Sequence, residues 1–258
     1  ILAVITMLFS GTVSASAHQW RAKWVTKSEA TNSANTWVGF RTKVDIDNVP
    51  STLIARIAVD TKYWLWINGE IVVFEGGLKR GPKPGAGYYD EVEIAPYLKK
   101  GTNHIAVQVW HFGKNGFSHH NSGYAAMRFE AIGDGVEILS DKSWESSVLH
   151  AYQNTDAPLP NYRLPEGNIR FDARMDFEDW NKGGYPKRIG GAMEIWNVLA
   201  DEMLGEHYAR PIPLWKNYGL KEYVEVKRVE DTLFCKLPYN AQVTPYLKVK
   251  APAGRTIH

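Results

Sequence analysis

Residues 62–74 read Lys62-Tyr63-Trp64-Leu65-Trp66-Ile67-Asn68-Gly69-Glu70-Ile71-Val72-Val73-Phe74, and this run decides the fold class. Asn68-Gly69 interrupts two stretches of aromatic, aliphatic and β-branched residues, the pattern of a two-residue β-hairpin. A type I′ turn needs positive φ at both central residues, which Asn and Gly tolerate at least cost. A regular ladder from that turn predicts Trp66 opposite Ile71 and Trp64 opposite Val73. On the other face it predicts Leu65 opposite Val72 and Tyr63 opposite Phe74. Both faces are apolar, so the hairpin lies within a β-core or has its second face covered by other structure.

The flanking segments repeat short alternating runs between turn residues. Val38, Phe40, Val44 and Ile46 form one inward row, with Arg41 and Lys43 opposite; Leu53, Ala55, Ile57 and Val59 form another. Ile105, Val107 and Val109 make a third row, and Ala125, Met127, Phe129 and Ala131 a fourth. Residues 76–87 are a Gly/Pro-rich loop, residues 88–94 extend again, and residues 95–98 predict a single helical turn before Gly101-Thr102-Asn103 turns the chain back. This spacing predicts an all-β fold, an antiparallel β-sandwich. Alternation weakens after Asp134, and Arg210-Pro211-Ile212-Pro213 marks a domain boundary. The expected organisation is a sandwich domain over residues 18–215, with an irregular C-terminal part, and the beginning of a second β-sandwich over 216–258.

Composition narrows the function classes. The chain has 258 residues, 44% hydrophobic and 22% charged, with 12% aromatic residues and ten Trp. In a β protein that aromatic surplus is read as core ahead of contact surface. A net charge of +2 makes no case for nucleic acid or a strongly acidic partner. The single Cys235 excludes an internal disulfide framework and a Cys-based zinc site, and is expected to be a small buried hydrophobe. Residues 1–17 combine an apolar run with the small-residue pattern Ala15-Ser16-Ala17 ahead of His18, which reads as part of a signal peptide. It is too short to span a bilayer. Export to the periplasm or the extracellular space is expected, with no membrane association.

Tyr63-Trp64-Leu65-Trp66-Ile67-Asn68-Gly69-Glu70, then Tyr88-Tyr89-Asp90-Glu91-Val92 and Tyr97-Leu98-Lys99-Lys100-Gly101-Thr102-Asn103-His104, resemble the galactose-binding-like, jelly-roll β-sandwich at the N-terminus of large bacterial glycoside hydrolases. Lys23-Trp24-Val25, Thr36-Trp37-Val38-Gly39-Phe40-Arg41, Ser140-Asp141-Lys142-Ser143-Trp144 and Phe171-Asp172-Ala173-Arg174 extend the resemblance to the bacterial α-L-rhamnosidases over residues 24–215. The resemblance implies a parent enzyme that removes terminal L-rhamnose from plant or microbial glycans. Its chemistry would occur in an (α/α)6 barrel placed after the β domains, where two carboxyl groups roughly 6.5–9.5 Å apart act with inversion. No amphipathic helical repeat is present in the sequence, so that barrel is expected beyond His258 and no catalytic residue is carried over. The expected partners are that barrel in the same polypeptide and an oligosaccharide; no cofactor is implied. A carbohydrate-binding module and a purely structural docking domain of another sugar hydrolase, such as a β-galactosidase-type enzyme, are the alternatives.

Two stretches carry candidate site chemistry. Asp90, Glu91 and Glu93 are the densest acidic cluster, with Glu91 and Glu93 on one strand face; a solvated face is expected there. The loop over residues 110–123 gathers Trp110, His111, Asn115, His119, His120 and Asn121, and these six are the candidate ligand-binding residues. Trp110, Asn115 and Asn121 offer an aromatic face and planar amides for sugar. His111, His119 and His120 lack a fourth ligand and zinc spacing, so no metal site is assigned. Packing of this loop against the expected barrel is the competing reading. Lys79, Arg80 and Lys83 in the 76–87 loop read as solvated.

Overall fold

The computed structural model describes residues 17–77, 81–116, 119–155, 168–177, 179–183, 190–195, 197–216, 218–241, 246, 248 and 250, the side chains of 197, 198 and 201 excepted. The expected leader up to Ser16, Lys79 and Arg80, and the extended segments around 157–160 and 164–167 lie outside the described residues. The chain divides into two compact units, Ile1–Trp215 and Lys216–His258.

In the first unit the strands are β1 (Val25–Thr26), β2 (Thr36–Ile46), β3 (Ile54–Val59), β4 (Lys62–Ile67), β5 (Glu70–Gly77), β6 (Gly87–Glu93) and β7 (Gly101–His111). They continue as β8 (Met127–Gly133), β9 (Val136–Leu139), β10 (Glu145–Val148), β11 (Tyr152–Asn154), β12 (Ile169–Phe171), β13 (Gly190–Gly191) and β14 (Met193–Glu194). A short helix α1 (Asn197–Met203) precedes β15 (His207–Ala209). One sheet runs β14-β1-β8-β3-β6-β15, with β9 paired to β8, and the other runs β13-β10-β2-β7-β4-β5. Pairing is antiparallel except where β15 runs parallel to β6. The first unit is therefore an antiparallel β-sandwich.

The core lies between the two sheets. Phe40, Tyr63, Leu65, Ile67, Ile105 and Val107 come from one sheet, and Ala55, Ile57, Met127 and Phe129 from the other, all fully buried. The four inward rows read from alternation are the rows that pack here. Each of the larger aliphatic and phenyl side chains stabilises the fold by about 1.5–3 kcal/mol through area removed from water.

The 62–74 hairpin forms with Asn68 at φ +53 and Gly69 at φ +84, the left-handed pair that a type I′ turn requires. Asn68 also fixes the turn to the next motif. Its amide donates to the Tyr97 carbonyl and to Asn103 Oδ1, both at 2.9 Å, and its Oδ1 accepts from the His104 amide. Asn103 is itself fully buried, and it exchanges hydrogen bonds with the Lys99 backbone.

The ladder departs from the regular register. Trp66 faces Ile71 as expected, but Leu65 faces Val73 and Tyr63 faces Gly76, through two register shifts. Each shift adds one residue on β5, which returns Val73 to the core beside Leu65. Gly76 is needed under the Tyr63 ring, because a Cβ there would stand 2.4 Å from the ring carbons.

The outer faces of both sheets are covered. Over β2, β7 and β4, Trp37 stacks on Trp110 (4.7 Å) and on Trp64 (5.3 Å), and Tyr152 stacks on Trp37 (4.1 Å). Trp180 lies on Gly39, where an added Cβ would meet its ring at 3.0 Å. Arg41, on the face opposite the inward row as expected, is buried under this cover and donates to Glu145 and the Trp180 carbonyl. The other sheet is covered by Trp24, Ile195, and Ala200 and Leu204 from α1 and the turn after it.

The second unit contains the hairpin of β16 (Glu225–Val229) and β17 (Thr232–Lys236), with Val226 opposite Cys235 and Arg228 opposite Leu233. Every residue of both strands is exposed. Cys235 is accordingly exposed, not buried as its apolar neighbours suggested, because among the described residues of this unit no second layer packs on the two-stranded ribbon.

Candidate functional site

Register places the longer loops at one end of the sandwich. Thr36 pairs with His111, Lys62 pairs with both Trp110 and Gly77, and Val59 pairs with Met127. The β3–β4 junction, the β5–β6 loop and the 112–126 connection therefore meet there.

The centre of this end is Asp60, a buried carboxylate in the two-residue junction between β3 and β4. Its Oδ1 accepts from Thr61 Oγ1 at 2.6 Å and lies 3.3 Å from His111 Nδ1 and 3.2 Å from His119 Nε2. Its Oδ2 accepts from the Ser122 amide (2.8 Å) and hydroxyl (2.6 Å). Burial pushes the Asp60 carboxyl up, but hydrogen bonds from His111 and His119 outweigh it and hold the group well below the usual carboxylate range. His111 Nε2 is buried without a hydrogen-bond partner. Nδ1, which faces the Asp60 carboxylate and carbonyl, is the ring nitrogen that donates. The node fastens the 112–126 connection to the β3–β4 corner.

The six candidate residues do not share one surface. His111 and His119 are buried together on Asp60. Trp110 lies in the outer aromatic stack and donates through Nε1 to Asn35 Oδ1 at 2.8 Å. Asn115 and Asn121 are exposed and staple the loop: the Asn121 amide donates to Asn115 Oδ1, and Asn121 bonds Gly113 O and the Gly123 amide. His120 is exposed. Among the described residues no group of three or more His, Cys, Asp or Glu is arranged to hold a metal ion.

The acidic cluster also separates. Glu91 pairs with Arg56 at 3.0 Å on the surface. Glu93 accepts from the Leu53 and Ala95 amides. Asp90 is buried and not solvated: Arg210 and Tyr63 Oη donate to it, each at 3.0 Å, as does the Gly77 amide. Burial pushes Asp90 up, and Arg210 and the other donors pull against it without cancelling. Sequence reasoning missed Asp60, Thr61, Ser122 and Arg210. The available signal was a polar Asp-Thr pair between two strongly apolar strands, which a strand-alternation pattern assigns to solvent.

The fold and this loop-rich end define a two-sheet antiparallel sandwich. Among the solved structures it matches are α-L-rhamnosidases. The GH78 family rhamnosidase of Bacillus sp. GL1 matches with 26% identity and a TM-score of 0.68, over 76% of this chain and 20% of that one. The α-L-rhamnosidase from Dictyoglumus thermophilum matches at 18% identity and TM-score 0.56, over 81% of this chain and 24% of that one. The enzyme from Aspergillus terreus matches at 16% and 0.59, over 80% and 24%. These last two show the shared fold alone. The chain thus spans between a fifth and a quarter of the length of these enzymes. No family model matches the chain, and no curated protein matches it. The resemblance read from the motifs around Asn68 and Asn103 stands: the chain is similar to a domain-sized part of an α-L-rhamnosidase. Among the described residues no helix is long and apolar enough to cross a membrane.

Proposed function

We propose that the chain is a non-catalytic β-sandwich region of an exported glycoside hydrolase most like an α-L-rhamnosidase. The observation that carries this reading is the match of three quarters of the chain to one fifth of the Bacillus sp. GL1 enzyme. Two features support the non-catalytic part. Asp60 and Asp90 are buried and committed to internal donors, and the surface carboxylates Glu91 and Glu93 are occupied by Arg56 and by backbone amides. An inverting hydrolase needs two carboxyl groups facing each other across room for a substrate and a water. Glycoside cleavage then belongs to a helical barrel elsewhere in a longer polypeptide, which this sandwich positions. Export rests on the Ile1-to-Ala17 pattern ahead of His18, whose imidazole is held by Glu130 at 2.7 Å.

Assay of an aryl α-L-rhamnoside tests the reading. The longer gene product should hydrolyse it with inversion, and the 258-residue chain alone should not. Turnover by the chain alone, or an inactive longer product, overturns the assignment. N-terminal sequencing of the protein secreted by its host should begin at His18.

A further inference from the structure

Phe74 and Glu75 are consecutive on the edge strand β5, yet both reach the same outer face. The Phe74 ring meets Trp64 edge to face, with centroids 6.4 Å apart at 86°. The Glu75 carboxylate pairs with the Lys62 ammonium. Lys62 and Trp64 are two residues apart on β4 and so share one face. Successive residues of a regular strand point to opposite faces, so this pairing requires the departure seen at Glu75, whose φ is +60. A left-handed conformation is unfavourable for Glu, and here it places a ring and a carboxylate side by side.

The resulting corner is open. Phe74 is 46% exposed, the Glu75 side chain is 34% exposed, and Trp64 is half-buried. The ammonium of Lys62 is held from behind, 5.8 Å from the ring centroids of both Trp110 and Phe112. We propose that this corner is a saccharide subsite, in which a pyranose packs its C–H face against the Phe74 ring, sets its edge beside Trp64 and donates adjacent hydroxyls to Glu75. A sugar ring has an apolar face and a hydroxyl rim, and the corner supplies two rings and a fixed two-oxygen acceptor. A protein partner needs roughly 800 Å² per side, whereas this patch is two rings beside an ion pair. The two register shifts also break the ladder that an added strand would need. The subsite rests on the glycoside-hydrolase reading only for the choice of sugars to try.

The test is titration of the 258-residue chain with L-rhamnose, methyl galactosides and gluco- and xylo-oligosaccharides at millimolar concentrations, read by NMR on the Trp64 indole N–H. That signal is assigned by its loss in Trp64→Phe. At least one sugar should move it saturably. Glu75→Gln should weaken binding about tenfold, the loss of a charged acceptor. Phe74→Ala should remove saturation, while Phe74→Tyr, which keeps the ring, should stay within about twofold of wild type. Unchanged far-UV spectra of the variants exclude misfolding. No shift with any sugar overturns the subsite, as does a shift that survives both Phe74→Ala and Glu75→Gln. A flat titration in which Phe74→Ala instead breaks a self-association also overturns it, in favour of a protein contact. Flat titrations beside an active longer gene product sink the subsite alone, and saturable binding beside an inactive one sinks the hydrolase reading alone.

Discussion

Asp60 and Asp90 are two buried aspartates in one sandwich that are stabilised in different ways. Asp60 is surrounded by two imidazoles, two hydroxyls and an amide, all from the loop end. Asp90 is answered by one guanidinium, one phenol and one amide. Burial raises both carboxyls, yet Asp60 ends below its ordinary value and Asp90 above it. The difference lies in how many donors converge: where hydrogen bonds are dense, desolvation loses. Asp60 therefore stabilises the ionised state it needs, while Asp90 depends on Arg210, just after a strand far along the chain.

The largest expected effect is at Asp60. Asp60→Ala strands the Thr61 hydroxyl, the Ser122 amide and hydroxyl, and two imidazoles, and should destabilise the first unit by about 4 kcal/mol in urea denaturation. Loss of ordered signals from the 112–126 connection should accompany it. A loss under 1 kcal/mol would show that the node does not fasten the loop end.

Arg210→Met should cost less, about 3 kcal/mol, because Asp90 keeps Tyr63 and Gly77 when the guanidinium goes. Asp90→Asn combined with Arg210→Met should recover part of that loss, since it removes the uncompensated charge. If the double variant is no better than the single, charge is not what Arg210 answers. This pair also ties down β15, since Arg210 follows it directly and its amide donates to the Tyr89 carbonyl.

These nodes mark the boundary of what the sequence discloses. Asn68-Gly69 announced its turn because only left-handed φ suits a two-residue hairpin, and the rows Val38-Phe40 and Ile105-Val107-Val109 announced the core through alternation. The register beyond Trp66 was not legible, because nothing local shows that Tyr63 needs Gly76 beneath its ring. Nor was the burial of Arg41, which depends on Trp180 arriving from about 140 residues away. Of the six candidate residues, His111 and His119 stand out as chemistry-bearing, but nothing in the sequence pairs them with Asp60. A polar residue at a strand junction carries no periodic signal.

Acid sharpens the comparison further. His207, in β15 beside the Trp24 ring, is pushed down to about 4 from 6.5 by burial. Its folded value lies below the unfolded one, so its contribution is complete above pH 6.5 and lost as pH falls toward 4. Over that window the loss should reach about 3 kcal/mol. Asp60, also depressed, loses its contribution only below its unfolded value near 3.8. Urea midpoints from pH 7 to 4.5 should therefore fall more steeply in wild type than in His207→Gln, where His104, also pushed down by burial, keeps a smaller slope, while Asp60 stays silent throughout. Equal slopes in the two proteins would remove His207 as the cause.

The smallest effect is expected at a pair that looks similar on paper. Lys83 and Glu206 form an ion pair at 2.5 Å next to β15, within a few residues of both His207 and Arg210. Both side chains are more than half exposed, so water and salt screen the attraction. Lys83→Ala should leave the urea midpoint within error at physiological salt, with any change appearing only at low ionic strength. A loss comparable to that of Arg210→Met would mean that β15 is held by its surface charges, and the contrast between buried and solvated carboxylates would no longer explain what anchors this strand.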